Sequence, residues 1–416
     1  MTPSEATPPS APVGDARADE AARLLLGLLR DTGVTGGGPV RRYLWTDAFA
    51  VRTLWALHEA GHRPGTDEDR SFGELALAMV DQVHEVLGSF RPDDARRSGR
   101  LSGLEGDAAE THPTAGGLRI GKPLPERPPG EPVDPDLEWE RDGQYFHYLT
   151  RWMRALLVTA DVSGDPRHLR WSVELALAAH EGSVRRQPDG TPSHIAWKSS
   201  VDLSRAAIDR PGLHDPLDGY LTYRVIEAAA DDAGVDASAL EEPIREMASL
   251  AGLPGGTDWT TGDPLGLGGL MLDLHTVVRL SSRDSPEADP DGGDSRSTED
   301  HTLATSIADA IARGLVELDD SGALRRSPAR RLPFRDLGLS LGVRALLRLR
   351  DEGVVQTPGM GRARLDTLLE AAPEPEAIET IWRSAEGRAA RTWAHHLDIN
   401  RAMLAASLLP DGVLRA

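Results

Sequence analysis

The residue types that this chain uses least lie beside polar and aromatic residues that could bind and transform a substrate. Lys122 and Lys198 are the only lysines, and Asn400 is the only asparagine. Arginine does not replace lysine where a compact ammonium group is required, so we expect both lysines to mark functional positions. We therefore predict that Lys122, Lys198, Asn400, Tyr145 and His214 line one pocket.

The segment 138–148, Glu-Trp-Glu-Arg-Asp-Gly-Gln-Tyr-Phe-His-Tyr, has the highest density of candidate groups. We expect it to begin a helix with Asp142 as the N-cap residue. Asp142 either only caps this helix or acts as a general acid where a long loop meets it. In the second case, Gln144, Tyr145 and His147 form hydrogen bonds with a bound polyol.

A second pair of polar blocks supplies two more carboxylates and another histidine. Asp215 precedes Pro216, a pattern typical of a helix N-cap, and it is also one alternative for a general base. Asp202 is the other alternative. His214 lies just before the predicted cap and is either a packing residue or a catalytic group.

The predicted substrate contacts combine aromatic rings, which stack on the apolar face of a sugar, with cations and hydrogen-bonding groups. They are Trp45, Asp47, Arg119, Lys122, Tyr145, His147, Trp197, Lys198, His396 and Asn400. The run His395-His396-Leu-Asp398 lacks the spacing of a helical metal site, so we predict no metal. The glycine-rich run 262–269 follows no predicted strand, which excludes the dinucleotide interpretation, and we predict no cofactor.

Composition excludes several classes of function. The net charge of -20 is opposite to what nucleic acid binding requires. No stretch approaches the roughly 18 apolar residues of a membrane helix, and the chain has no cysteine for disulfides or thiolate sites. The N-terminus lacks the features of a signal peptide. We expect a soluble cytoplasmic protein that binds neither nucleic acid nor membrane; the sequence defines no oligomeric state.

Helical periodicity dominates the sequence, and strand signals are nearly absent. Helices are predicted over 18–30, 46–60, 72–87, 143–160, 166–181, 215–231, 237–251, 265–280, 302–315, 334–350, 362–371, 376–386 and 400–408. We expect a disordered tail over 1–16, one domain over 17–416, and mobile loops at 91–112 and 281–300. This all-α pattern of paired helices favours an (α/α)6 toroid, with a helical solenoid as the competing architecture.

Two short motifs carry a family resemblance. Arg42-Tyr-Leu-Trp-Thr-Asp47-Ala-Phe-Ala-Val, followed by a helix ending at Ala60-Gly61, resembles the opening helix pair of the six-hairpin glycosidase-like superfamily. Gly164-Asp-Pro-Arg-His-Leu169, before a helix ending at His180, is similar to helix starts common there. That superfamily includes inverting glycosidases, unsaturated glucuronyl hydrolases and N-acylglucosamine 2-epimerases, so the resemblance implies a toroid acting on a carbohydrate.

The expected function is that of a glycoside-hydrolase-like enzyme acting on a neutral or anionic polyol. An inverting hydrolase needs two carboxyl groups about 6.5–9.5 Å apart, which we assign to Asp142 as the acid and Asp215 or Asp202 as the base. One alternative is a sugar epimerase in which His214 and His396 exchange a proton. The other alternative is a helical scaffold that binds a partner without catalysis.

Overall fold

The computed structural model describes residues 13–65, 68–253, 257–283, 295–353 and 360–415. Helices account for 64% of it and strands for 6%. The helices are α1 (Val13–Asp31), α2 (Leu44–Glu59), α3 (Phe72–Leu87), α4 (Gly106–Thr111), α5 (Pro135–Glu138), α6 (Phe146–Ser163), α7 (Pro166–Ser183), α8 (Asp215–Ala233), α9 (Glu241–Leu250), α10 (Pro264–Arg283), α11 (Ser295–Ser321), α12 (Pro333–Glu352), α13 (Arg362–Ala371), α14 (Pro375–Arg383), α15 (Ala385–Ala389), α16 (Arg391–His395), α17 (Leu397–Leu408) and α18 (Asp411–Leu414).

Six of these helices contact one another in a closed cycle. Going round the cycle, the contacting neighbours are α2, α6, α8, α10, α12 and α17, and α17 contacts α2 again. A second helix packs behind each member: α3 on α2, α7 on α6, α9 on α8, α11 on α10, α14 on α12 and α1 on α17. The protein is therefore mostly helical, and the helices pair as the periodicity predicts.

Glycines allow α10 and α12 to pack closely. A Cβ atom on Gly268 would lie 2.2 Å from the carbonyl oxygen of Gly338, and one on Gly342 would lie 2.6 Å from the Cα of Gly268. Asp263 caps α10, because its Oδ1 accepts hydrogen bonds from the backbone N–H groups of Leu265 and Gly266 at 3.1 and 3.0 Å. Helix capping and close helix packing therefore account for Asp263 and Gly268 in the glycine-rich run 262–269.

The expectation that strands are nearly absent is wrong for one segment. Strands β1 (Val184–Arg186), β2 (Pro192–Ser199) and β3 (Ala206–Pro211) form an antiparallel sheet in the order β1-β2-β3. The end of β2 also pairs with the segment before α6, through the Gln144 and Ser199 backbones at 3.0 and 2.9 Å. This sheet therefore places the side chains of β2 next to the start of α6.

Three segments differ from the predicted organisation or lie partly outside the described residues. The first helix begins at Val13, within the predicted tail 1–16, and residues 1–12 are not among those described. The predicted loop 91–112 contains α4 and is joined to distant segments by Arg97, which pairs with Glu126 at 2.5 Å and Asp202 at 3.0 Å. Of the predicted loop 281–300, residues 284–294 lie outside the described part.

Candidate functional site

The first turns of three neighbouring helices meet at one end of the helix cycle. The ring centres of Trp45, in α2, and His147, in α6, are 6.3 Å apart. His147 Nδ1 lies 3.6 Å from Oδ1 of Asp215, the first residue of α8. Tyr145, which immediately precedes α6, stacks on His147 with ring centres 5.3 Å apart. We call Trp45, Tyr145, His147 and Asp215 the mouth site.

Each residue of the mouth site has a buried polar atom without a hydrogen-bond partner in the described structure. These atoms are Trp45 Nε1, the Tyr145 hydroxyl, His147 Nδ1 and Asp215 Oδ2. Most buried polar groups in proteins are paired, and each unpaired group costs about 1–3 kcal/mol. Four such atoms on adjoining residues indicate a binding site for a ligand that can both donate and accept hydrogen bonds.

Neutral tyrosines and the Lys122 ammonium border the mouth site. The hydroxyl groups of Tyr43 and Tyr148 are 2.7 Å apart, and burial raises the pKa of Tyr43 to about 12. The Lys122 ammonium lies 5.7 Å from the centre of the Tyr43 ring. It forms no hydrogen bond or ion pair with the described residues, and burial lowers its pKa. This ammonium is therefore free to contact a ligand.

A charged cluster lies behind the mouth site. Asp218, one turn after Asp215 in α8, accepts a hydrogen bond from Thr150 at 2.5 Å and pairs with Arg151 at 3.2 Å. Asp273, in α10, is buried, and its pKa is raised to about 7, first by burial and then by the charge of Asp218. This carboxyl group can therefore carry a proton near neutral pH. A cavity of about 20 Å³, large enough for one water molecule, adjoins it.

Asp142 does not cap a helix, which corrects the sequence interpretation. Helix α6 begins at Phe146 with Tyr145 in the N-cap position. The Asp142 side chain is fully buried, and its Oδ2 accepts a hydrogen bond from Arg119 at 2.5 Å. Its Oδ1 accepts from the backbone N–H of Gly121 at 3.0 Å. Asp142 and Arg119 thus join two backbone segments, and both oxygens of the Asp142 carboxylate already accept hydrogen bonds from the protein.

Both carboxylate oxygens of Asp202 also accept hydrogen bonds from the protein, and Asp202 lies outside the mouth site. Its Oδ1 accepts hydrogen bonds from the Ser200 and Ser204 hydroxyls at 2.7 and 2.6 Å, and its Oδ2 accepts one from Arg97 at 3.0 Å. Burial raises its pKa, but these hydrogen bonds and the Arg97 charge outweigh that effect and lower it to about 2. Such a carboxylate is a weak base, which favours Asp215 over Asp202 for that role.

Helix α8 begins at Asp215, so Asp215 is not its N-cap residue. The N-cap residue is His214, not Asp215. The His214 Nε2 atom lies 2.9 Å from the Trp259 carbonyl oxygen, and burial lowers the pKa of its ring. His214 is therefore held by a backbone contact, whereas Asp215 has no capping function and one free oxygen.

Two of the rare residues donate buried hydrogen bonds to other parts of the chain. Lys198 is fully buried and donates three hydrogen bonds: to Glu138 Oε1 at 2.9 Å, to the Glu138 carbonyl at 2.8 Å and to the Arg141 carbonyl at 2.8 Å. Asn400 is also fully buried, and its Nδ2 donates to the carbonyls of Thr392 and Trp393 at 3.2 and 3.0 Å. The Lys198 ammonium nevertheless lies 5.8 Å from the centre of the Tyr145 ring, and the sharing of one pocket by all five residues stays a prediction.

Of the other predicted substrate contacts, one lies next to the mouth site and two lie in other surroundings. Asp47 Oδ2 accepts a hydrogen bond from the Tyr43 backbone at 3.0 Å, so Asp47 fixes the start of α2; burial raises its pKa to about 6. The Trp197 ring centre is 4.9 Å from that of Tyr145, next to the mouth site. His396 lies beside Phe334, with ring centres 5.7 Å apart, and burial lowers its pKa.

The segment His58-Glu59-Ala-Gly61-His62 has the His-Glu-x-x-His spacing of zinc proteases. Helix α2 ends at Glu59 and Gly61 has a φ of +73°, so the two histidines do not share a helical face. The described residues contain no group of three or more side chains placed to hold a metal ion. They also include no helix long and apolar enough to cross a bilayer.

One cavity of the described structure is lined by none of the predicted site residues. It has a volume of about 780 Å³ and is lined mainly by the last turns of α6, α8 and α10, including Leu157, Val225 and Leu280. The mouth site is formed by the first turns of α2, α6 and α8. The cavity and the mouth site therefore lie at different ends of the helix cycle, and the mouth site has titratable side chains with unpaired buried atoms.

No protein-family model matches this chain, and no curated protein matches it.

Proposed function

We propose that the chain is an (α/α)6 toroid of the six-hairpin glycosidase-like type that binds a sugar-like polyol at the mouth site and acts on it by acid/base chemistry. The closed cycle of six helices, each backed by a second helix, supports this architecture. In a toroid the first turns of the inner helices converge at one rim. The rim proposed here is where Trp45, His147 and Asp215 meet.

The observation that carries the proposal is the set of unpaired buried atoms. Trp45 Nε1 is a donor, Asp215 Oδ2 is an acceptor, and the Tyr145 hydroxyl can do both. Neighbouring hydroxyl groups of a polyol can satisfy all of them. The indole of Trp45 also offers an apolar face to a sugar ring, and Lys122 can pair with a carboxylate on an anionic sugar.

We assign the acid/base roles to Asp215 and Asp273. Asp273, whose pKa is about 7, donates its proton to the leaving oxygen of the glycosidic bond. Asp215, with its unpaired oxygen, accepts a proton from the attacking water. A pair of carboxyl groups, one acting as the acid and the other as the base, is the usual arrangement for such a reaction. In this assignment Asp215 is the base, and Asp273 takes the acid role first assigned to Asp142.

A sugar epimerase is the second candidate, with His147 taking the place of His214. His147 is 25% exposed beside Asp215, and His396 lies partly exposed on a neighbouring segment. An epimerase exchanges a substrate carbon-bound proton with solvent deuterium, whereas a hydrolase does not. Incubation of sugars with the protein in D2O, followed by NMR, separates these two reactions.

The proposed function is tested with the variant Asp215→Asn and a panel of methyl and p-nitrophenyl glycosides and uronosides. Asparagine is nearly isosteric, and Asp215 caps no helix, so we expect the free energy of unfolding to change by less than about 1 kcal/mol. Turnover should fall about 10²–10⁴-fold, because an amide cannot accept the proton.

Asp202→Asn is the matched control, because it removes the rival carboxylate, and it should retain turnover. Loss of turnover in Asp202→Asn with normal turnover in Asp215→Asn would transfer the base role to Asp202. Absence of both binding and turnover across the panel would contradict the proposed function.

A further inference from the structure

Trp139 is exposed to an extent that its packing does not explain. The residue is 53% exposed, although tryptophan side chains are usually mostly buried. Its ring contacts Trp197 edge to face, with ring centres 4.9 Å apart. Leu124 and Leu137, each 37% exposed, belong to the same long loop before α6. An apolar surface of this kind commonly marks a binding site.

The two tryptophans lead from solvent to the mouth site. Trp197 lies 4.9 Å from Tyr145, which stacks on His147 at 5.3 Å, with an angle of 19° between the rings. Exposure falls along this series, from 53% at Trp139 to 2% at Tyr145. The rings therefore form a continuous aromatic wall from the surface to the histidine beside Asp215.

A buried ion-pair cluster holds this wall in place. Glu138, the residue before Trp139, is buried and pairs with Lys198 at 2.9 Å and Arg127 at 3.0 Å. Lys198 also donates a hydrogen bond to the Arg141 carbonyl at 2.8 Å, so it fixes both ends of the turn that carries Trp139. A buried ion pair contributes little net stability, but it fixes geometry. An exposed aromatic residue on a rigid turn is preorganised to bind a ligand.

We propose that Trp139 and Trp197 form an outer subsite that stacks against a second ring of the same sugar-like ligand. This inference rests on the proposed function and deepens it, because it makes the substrate an oligosaccharide or glycoside with at least two rings. Lys198, Glu138 and Arg127 are positioning residues for the subsite. The retention of a rare lysine at 198 follows, since its three hydrogen bonds hold the turn beneath Trp139.

The test compares ligands of different length in wild-type protein and in Trp139→Ala. The probes are α-1,4- and β-1,4-linked oligomers of glucose and of glucuronic acid, with one to four units, titrated by calorimetry. We expect wild-type affinity to rise from one unit to the longer oligomers. Trp139→Ala should lose about five- to tenfold in affinity for the longer oligomers, the effect of one aromatic contact.

Two further variants define the cause. Trp139→Phe keeps an aromatic face and should retain most of the gain with length, whereas Val316→Ala, at an exposed position on α11, should behave as wild type. The inference is overturned if the affinity of Trp139→Ala rises with oligomer length as much as that of the wild type. It is also overturned if the wild type binds longer oligomers no better than single units. Failure of the proposed function gives a different result. In that case the binding of single sugar units would also be absent, or it would be unaffected by Asp215→Asn.

Discussion

Replacing Asp142 by asparagine should destabilise the protein while sparing its chemistry. The carboxylate is completely buried and forms a hydrogen bond with Arg119 at 2.5 Å. It also accepts hydrogen bonds from the backbones of Gly121 at 3.0 Å and Gly143 at 3.1 Å. Asparagine can still accept from the backbone through its carbonyl oxygen, but it leaves the buried guanidinium of Arg119 without a counter-charge.

The size of the effect follows from these contacts. Removing one partner of a buried ion pair costs about 3–5 kcal/mol, and the retained backbone contacts place Asp142→Asn at the lower end of that range. An unfolding entropy of about 2.1 cal/mol/K per residue, over 416 residues, corresponds to about 0.9 kcal/mol per degree. The melting temperature should therefore fall by about 3–4 °C.

Circular dichroism melting of Asp142→Asn against Glu140→Gln measures this effect. Glu140 is an exposed carboxylate two residues away, so its variant should stay within about 0.5 kcal/mol of wild type. Folded Asp142→Asn should turn over substrate at nearly the wild-type rate. A wild-type melting temperature combined with abolished turnover would refute the structural role and return Asp142 to the position of catalytic acid.

Three further outcomes are expected. Burial and Asp218 raise the pKa of Asp273 to about 7, so folding favours the protonated form of this side chain. In melting experiments, the stability of the wild type relative to Asp273→Asn should therefore fall from pH 4 to pH 7. A stability difference that stays constant over this range would contradict the raised pKa. Gly268→Ala should lower the melting temperature, because the added Cβ would lie 2.2 Å from the Gly338 carbonyl oxygen and overpacking costs about 1–3 kcal/mol. A Gly268→Ala variant as stable as the wild type would show that α10 and α12 can separate. Lys198→Met should destabilise the protein through the unpaired Glu138 carboxylate by about 3–5 kcal/mol, measurable by urea unfolding, and an unchanged midpoint would contradict the buried pair.

Helical elements are predicted well where an amphipathic pattern and a cap agree. The predicted ranges 72–87 and 362–371 coincide with α3 and α13, and Asp165 caps α7 as its position before Pro166 indicates. The start of α6 is misplaced because Asp142 turns towards Arg119 instead of capping. The small sheet is missed because its strands are short and polar, and their pairing is not local.

The residues of the mouth site could be predicted from the sequence, but those of the charged cluster behind it could not. Tyr145, His147 and Asp215 belong to the polar blocks that the sequence singles out. Arg151 and Asp273 lie inside regular helices, where nothing in the sequence separates them from ordinary surface charges. Only closure of the helix cycle brings such residues together, and contacts of that range leave no local pattern.

Two of the three residues of the rarest types mark structural constraints. Lys198 and Asn400 are each held by buried hydrogen bonds that few other side chains could form. Their scarcity therefore reflects the geometry of a turn and of the start of α17. Lys122 is the rare residue whose charged group has no hydrogen-bond or ion-pair partner in the described structure.

A crystal structure of the protein with the tightest-binding oligomer would show where the ligand binds. We expect a sugar ring against Trp45, with hydroxyl oxygens about 2.7–3.2 Å from Trp45 Nε1 and Asp215 Oδ2. A ligand bound instead in the 780 Å³ cavity beside Leu157 and Val225, with the mouth site empty, would contradict this expectation.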